Sequence, residues 1–145
     1  MSAERVRCPR EKEDSSYNCE HKDHTTRDLV LDGFPTVLSI NLNWEYDYPM
    51  YDILKIFSLI PNSFASSDLY HVPGGAQEIY LLRGMVLYWN FHYMSIFRTN
   101  SKYGEWTLYD DGKINDFKSW EGVIKQCVKI GVRPTILFYE RASKT

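Results

Sequence analysis

The chain has no run of about 18 apolar residues, which excludes a transmembrane helix. Its first ten residues, Met1 to Arg10, are charged and have no apolar stretch behind them, so no secretory signal is read there. An excess of either charge is also lacking. Lys and Arg number 17 against 19 Asp and Glu, a formal net charge of -2, with no long single-sign run. That balance speaks against an electrostatic nucleic-acid binder, which carries a basic excess. Cysteine is scarce: three copies stand at irregular spacing, with no Cys-x-x-Cys pair or other familiar metal knuckle. A disulfide framework is therefore not expected, and the expected compartment is a reducing one, cytoplasm or nucleus.

Aromatic residues are abundant. They make up 15% of the 145 residues, with 11 tyrosines, inside a hydrophobic share of 43%. Such a chain is long enough to bury a core, and flat rings suit the pleated surface of a sheet. Residues 1–28 are polar and without apolar periodicity, so a flexible or metal-ordered arm is expected there. Residues 29–145 are expected to form the domain, with order beginning near Phe34.

Along that domain, Leu38, Ile40, Leu42 and Trp44 alternate with polar residues, the period of a strand with one buried face. Pro49 suits a first helical turn, and Met50, Ile53, Leu54 and Phe57 form one stripe that Pro61 ends. Asn62 to Gln77 is rich in Ser, Pro and Gly and is expected to be mostly loop. Ile79 to Trp89 is almost continuously apolar, as in a strand covered on both faces, with Gly84 a bulge or close-approach point. His92 to Thr99 and Glu105 to Asp110 predict a hairpin turning through Asn100 to Gly104. Trp120, Val123, Ile124, Cys127 and Val128 recur at helical spacing, and Gly131 can close that helix before Pro134. Thr135 to Tyr139 predicts a last short strand. The expectation is an α+β domain, an antiparallel sheet with two helices.

In an antiparallel hairpin, directly opposed residues share a face. With the turn centred at position 101, His92 lies opposite Asp110; a centre half a residue later sets Asp111 there. An imidazole can thus meet a carboxylate across a rigid strand pair. The carboxylate would fix the ring's tautomer and leave the other nitrogen to take a proton from a nucleophile. By themselves, Asp110, Asp111 and Gly112 are also what a turn after a strand would show.

The wording around the hairpin adds a resemblance. His92-Tyr93, then a hairpin, then Trp106-Thr107-Leu108-Tyr109-Asp110-Asp111 resembles the histidine box of ubiquitin-specific proteases. The Trp120 helix and the Pro134-Thr135-Ile136-Leu137-Phe138-Tyr139 strand are similar to that family's last helix and strand, so the likeness runs over roughly residues 34–140. Its wording is closest to the divergent, often inactive ubiquitin-hydrolase-like proteins. The resemblance implies the C-terminal, palm half of a papain-like cysteine protease fold. It makes His92 the general base, Asp110 its orienting partner and Asp111 a polar support. Phe91 and Tyr93 would flank the channel for ubiquitin's tail, and Trp106 and Tyr109 would hold the hairpin as packing residues. Ubiquitin or a ubiquitinated protein would be the partner.

The chain departs from that pattern in two places. The family's nucleophile stands at the start of an N-terminal helix, whose dipole favours a thiolate. Here Cys8 precedes Pro9 in a polar stretch, Cys19 lacks an apolar helix after it, and Cys127 falls on a buried stripe. A base without a nucleophile does no acyl transfer, so this chain is expected to be inactive alone. An alternative is one half of an active deubiquitinase whose cysteine lies outside this sequence. The second departure is Phe91, where the family carries glycine; a ring there is expected to narrow the tail channel.

Cys8, Cys19, His21 and His24 supply four ligands that zinc accepts, which keeps a zinc-dependent adaptor as a further alternative; otherwise no cofactor is expected. Finally, a half domain is expected to leave Tyr88, Trp89 and Phe91 exposed, and so to self-associate or recruit a partner protein to that face.

Overall fold

The computed structural model describes residues 33–44, 50–71 and 73–143. The arm expected at 1–28, with Cys8, Cys19, His21 and His24, lies outside the described residues. Among the described residues, seven strands and two α-helices follow in order: β1 (Val37–Asn41), α1 (Met50–Leu59), β2 (Ser63–Ala65), β3 (Ile79–Trp89), β4 (His92–Ser101), β5 (Gly104–Asp110), β6 (Lys113–Phe117), α2 (Trp120–Ile130) and β7 (Arg133–Arg141). The strands join in one antiparallel sheet of order β1-β7-β3-β4-β5-β6, with β2 paired to the start of β3. The α+β expectation holds.

β3 and β7 form the centre because both are long and apolar. Their pairing runs from Tyr80↔Arg141 to Tyr88↔Arg133 and is interrupted between Leu82 and Gly84. At that interruption the ring of Phe97 lies against the Gly84 backbone, so glycine marks a close approach as its place in the strand suggested. One face of the sheet is the core. Leu82, Met85, Leu87, Met94, Ile96, Trp106, Leu108, Leu137 and Tyr139 are all buried there. The two helices cover that face. Trp120 links them to it, its ring 4.9 Å from that of Trp106 and 6.4 Å from that of Phe57.

Helix α2 begins and ends as its sequence dictates. The Ser119 side chain accepts a hydrogen bond from the Gly122 N–H, and Gly131 adopts the left-handed conformation (φ 83°) that ends the helix. In α1, Ile53 and Phe57 are buried, but Leu54 is 50% exposed and does not belong to the packed stripe. The stripe is narrower than its spacing suggested because only one side of α1 meets the sheet.

One expectation is corrected, and two strands form that no expectation named. Residues 62–77 are mostly loop, as expected, but include β2, which pairs with β3 through Phe64↔Tyr80, and Phe64 packs on Tyr80 and Tyr139. β3 alternates between buried and half-buried residues, so only one of its faces is fully covered. Lys113–Phe117 forms β6, which lies across from β5. Four of its five residues are exposed, which removes the apolar period that would have announced it.

Candidate active site

The β4–β5 register differs from the expected one. Ser95 faces Tyr109 and Ile96 faces Leu108, and the ladder is irregular between Arg98 and Ser101. The ladder beside the pair then centres one residue later than position 101, and the turn between Ser101 and Gly104 half a residue further on. Neither Asp110 nor Asp111 stands directly across from His92: the ladder, extended, sets Asp110 across from Met94. A displacement of two residues keeps a side chain on the same face, so His92 and Asp110 still meet, now diagonally. His92 Nε2 lies 2.5 Å from Asp110 Oδ1. Asp111 follows in the turn after β5 and is exposed, with its carboxylate still beside the pair.

The pair sits where the core face of the sheet reaches solvent. Met94 and Leu108, one step inward on each strand, are buried. The side chains of His92 and Asp110 keep 36% and 29% of their surface. An ionised carboxylate only accepts, so the proton of this bond belongs to Nε2 and the Nδ1 lone pair is free to act as a base. The His92 ring has no other hydrogen-bond partner among the described residues. Asp110 also closes the next hairpin, pairing with Lys113 around the two-residue turn Asp111–Gly112, with Asp111 at φ 50°. The turn reading and the site reading of these aspartates are therefore both true: one residue serves the site, the next makes the turn.

Donor atoms of His92, Asp110 and Asp111 lie within 4.8 Å of one another, a spacing a cation could use. The His92–Asp110 hydrogen bond already occupies one donor of each of those two residues. The trio is thus a histidine–carboxylate dyad with an adjacent acidic turn.

No thiol reaches this dyad from the described residues. Cys127 is buried under α2 against Leu87, Met94 and Ile96, and burial pushes its thiol up to about 12. A thiol so disfavoured as thiolate is a packing group, in agreement with its place on the helical stripe.

The approach to His92 is aromatic. Trp89 pairs with His92 across the β3–β4 hairpin, and the loop between them is Asn90–Phe91. Both loop residues have positive φ, 45° and 64°, the type I′ pattern that suits a tight hairpin. Glycine is preferred at the second loop position, because a side chain there crowds the backbone. Phe91 holds that conformation nonetheless, at a cost of about 1–3 kcal/mol. Its N–H donates to the Tyr88 hydroxyl at 3.2 Å, and its ring is 92% exposed. Tyr93 is 62% exposed on the other face of the sheet, its ring 4.9 Å from that of Tyr88. Of the packing residues expected from the histidine box, Trp106 is buried as anticipated, whereas Tyr109 is exposed.

The sequence shows these aromatics but not the strain at Phe91. The one local signal was Asn90 at the first loop position, masked by an aromatic at the second, where glycine is usual.

Neither a protein-family model nor a curated protein matches the chain. Solved structures do. The Saccharomyces cerevisiae Pan2 pseudoubiquitin hydrolase–RNA exonuclease module in complex with AAGGAA RNA matches with a TM-score of 0.54 and 17% identity, over 76% of this chain and 21% of that one. A SAGA Ubp8/Sgf11/Sus1/Sgf73 DUB module, with a substituted Ubp8 and a truncated Sgf11, matches with a TM-score of 0.51 and 17% identity, over 77% of this chain and 24% of that one. The chain thus spans between a fifth and a quarter of the length of these solved chains. These likenesses, over about three quarters of the chain, show a ubiquitin hydrolase-like fold.

Proposed function

We propose that this chain is a ubiquitin hydrolase-like domain that binds ubiquitin or a ubiquitinated protein without cleaving it. One observation carries the reading: a His92–Asp110 dyad with the geometry of a thiol protease's base stands beside no accessible thiol among the described residues. The two solved structures that share the fold support it. One is described as a pseudoubiquitin hydrolase and the other as a DUB module. The three scattered cysteines favour a reducing compartment, cytoplasm or nucleus.

Phe91 supports the same reading. It stands at the tip beside the base, where a ring narrows the approach for an extended tail. A ubiquitin-based electrophilic probe tests the absence of cleavage: no covalent adduct is expected, and labelling of the chain would sink the proposal. Binding is tested separately by titrating ubiquitin into isotopically labelled protein. Shifts confined to the Trp89–Tyr93 and Tyr109–Asp111 amides are expected.

A second reading, favoured by the free Nδ1 of His92, is that a cysteine-bearing partner completes the site. Mixing the chain with candidate halves and the same probe separates the two, because only the second reading gives a labelled complex. The zinc-dependent adaptor rests on Cys8, Cys19, His21 and His24 alone, and metal analysis of the purified protein decides it.

A further inference from the structure

We propose that His92, Asp110 and Asp111 hold a divalent transition-metal ion of the zinc class, which takes the place of the proton shared by His92 and Asp110. The proposal stands apart from ubiquitin binding and from the cysteines and histidines of residues 1–28. It starts from donors of two kinds. An imidazole nitrogen and an oxygen from each of two carboxylates all lie within 4.8 Å of one another. Around such an ion, with bonds of about 2.0–2.2 Å, neighbouring ligand atoms stand roughly 3–3.5 Å apart. From their 2.5 Å hydrogen bond, His92 and Asp110 need to part, and Asp111 to close in, by on the order of 1 Å. Side-chain rotation alone covers that.

The backbone already gathers the three ligands. His92 opens β4 and pairs with Trp89, and Asp110 ends β5 and pairs with Lys113. Asp111 is set by the two-residue turn that follows, at φ 50°. Ligands carried on paired strands and a tight turn have little freedom left to lose on binding. The outer side is open: a Cβ added at Gly112 would meet nothing within 4 Å, which leaves room for water as a further ligand.

Charge favours a cation as well. Asp110 and Asp111 are adjacent carboxylates, and among the described residues neither forms an ion pair with a lysine or arginine. Lys113, directly across from Asp110, is exposed and belongs to none of those pairs. His92 is the one basic group that meets them. The donor set then selects the ion, because one imidazole with two carboxylates suits zinc and its neighbours, whereas calcium and magnesium take oxygen ligands. With the ion on Nε2, the neutral ring carries its proton on Nδ1 and has no lone pair left to act as a base. Metal ligation and the base role of His92 therefore exclude each other.

Nitrogen NMR of the His92 ring during a zinc titration of the full chain, without ubiquitin, tests this. The ring is expected to pass from the Nε2–H to the Nδ1–H tautomer, with shifts at the Asp110–Gly112 amides. Asp111→Asn keeps a side chain that tolerates the positive φ of the turn and should weaken zinc binding about tenfold or more. A Cys8→Ser, Cys19→Ser chain should respond as the wild type does. A His92 ring that ignores zinc at several hundred micromolar, on the order of a weak specific site, overturns the proposal. So does zinc bound at Nδ1 with the Nε2–H retained, an Asp111→Asn chain that binds undiminished, or a response that vanishes with the two cysteines.

Discussion

His92 and Asp110 bond at 2.5 Å although they are diagonal rather than directly opposed across β4 and β5. The bond therefore depends on two ladder steps of register and not on the turn residues alone. A shift of a single residue would send one partner to the other face of the sheet.

Removing the carboxylate should release the ring without unfolding the domain. Asp110→Ala is expected to cost less than about 1 kcal/mol, because both side chains are partly exposed and solvent replaces the bond. The ring nitrogens of His92, followed by nitrogen NMR, should change from one tautomer to a mixture. A single unchanged tautomer would show that Asp110 does not orient the ring.

Relieving the tip should stabilise the chain. Phe91→Gly removes a side chain from a positive-φ position at φ 64°. Glycine's extra freedom in the unfolded state offsets part of the relief, leaving a gain of about 0.5–1 kcal/mol. Denaturant midpoints measure it. A lower midpoint would mean that the ring makes stabilising contacts.

Two glycine substitutions should have opposite signs. At Gly84, an added Cβ would meet the Phe97 ring and come 2.7 Å from the Ile96 carbonyl oxygen, so Gly84→Ala is expected to cost about 1–3 kcal/mol. At Gly122, in the first turn of α2, the nearest atom to such a Cβ is 3.7 Å away, so Gly122→Ala should gain about 0.5–1 kcal/mol from helix propensity. Thermal melts of the pair read both.

Stability should fall in alkali. Burial raises the Cys127 thiol from its ordinary 9.0 to about 12 and the Tyr139 hydroxyl from 10.0 to about 12. Folded protein therefore holds these protons where unfolded chain releases them. The stabilisation is complete below pH 9 and is lost as pH rises toward 12. In the Cys127→Ala, Tyr139→Phe chain the fall between those values should be shallower, as denaturation at stepped pH would show. At about pH 7–8, Cys127 should resist alkylation until the protein unfolds.

Local chemistry was legible because local residues decide it. Gly131 closes α2, the Val123–Cys127 stripe turns inward, and Gly84 marks a close approach, each from steric or hydrogen-bonding rules that act within a few residues. The histidine and the aspartate were legible as a pair because period-two alternation puts even-numbered residues of both strands on one face. What was not legible was set by distant partners. β6 is polar on nearly every residue and exists because β5 offers it a ladder.

Residue order was enough for the α+β class, the two helices, the succession of the main strands and the identities of His92 and Asp110. Three further features needed contacts between distant segments. The diagonal register of the dyad comes from an irregularity between Arg98 and Ser101. The depth of Cys127 comes from the sheet packed beneath it. The left-handed turn at Phe91 arises because two strands already committed to pairing leave their two-residue loop no other path.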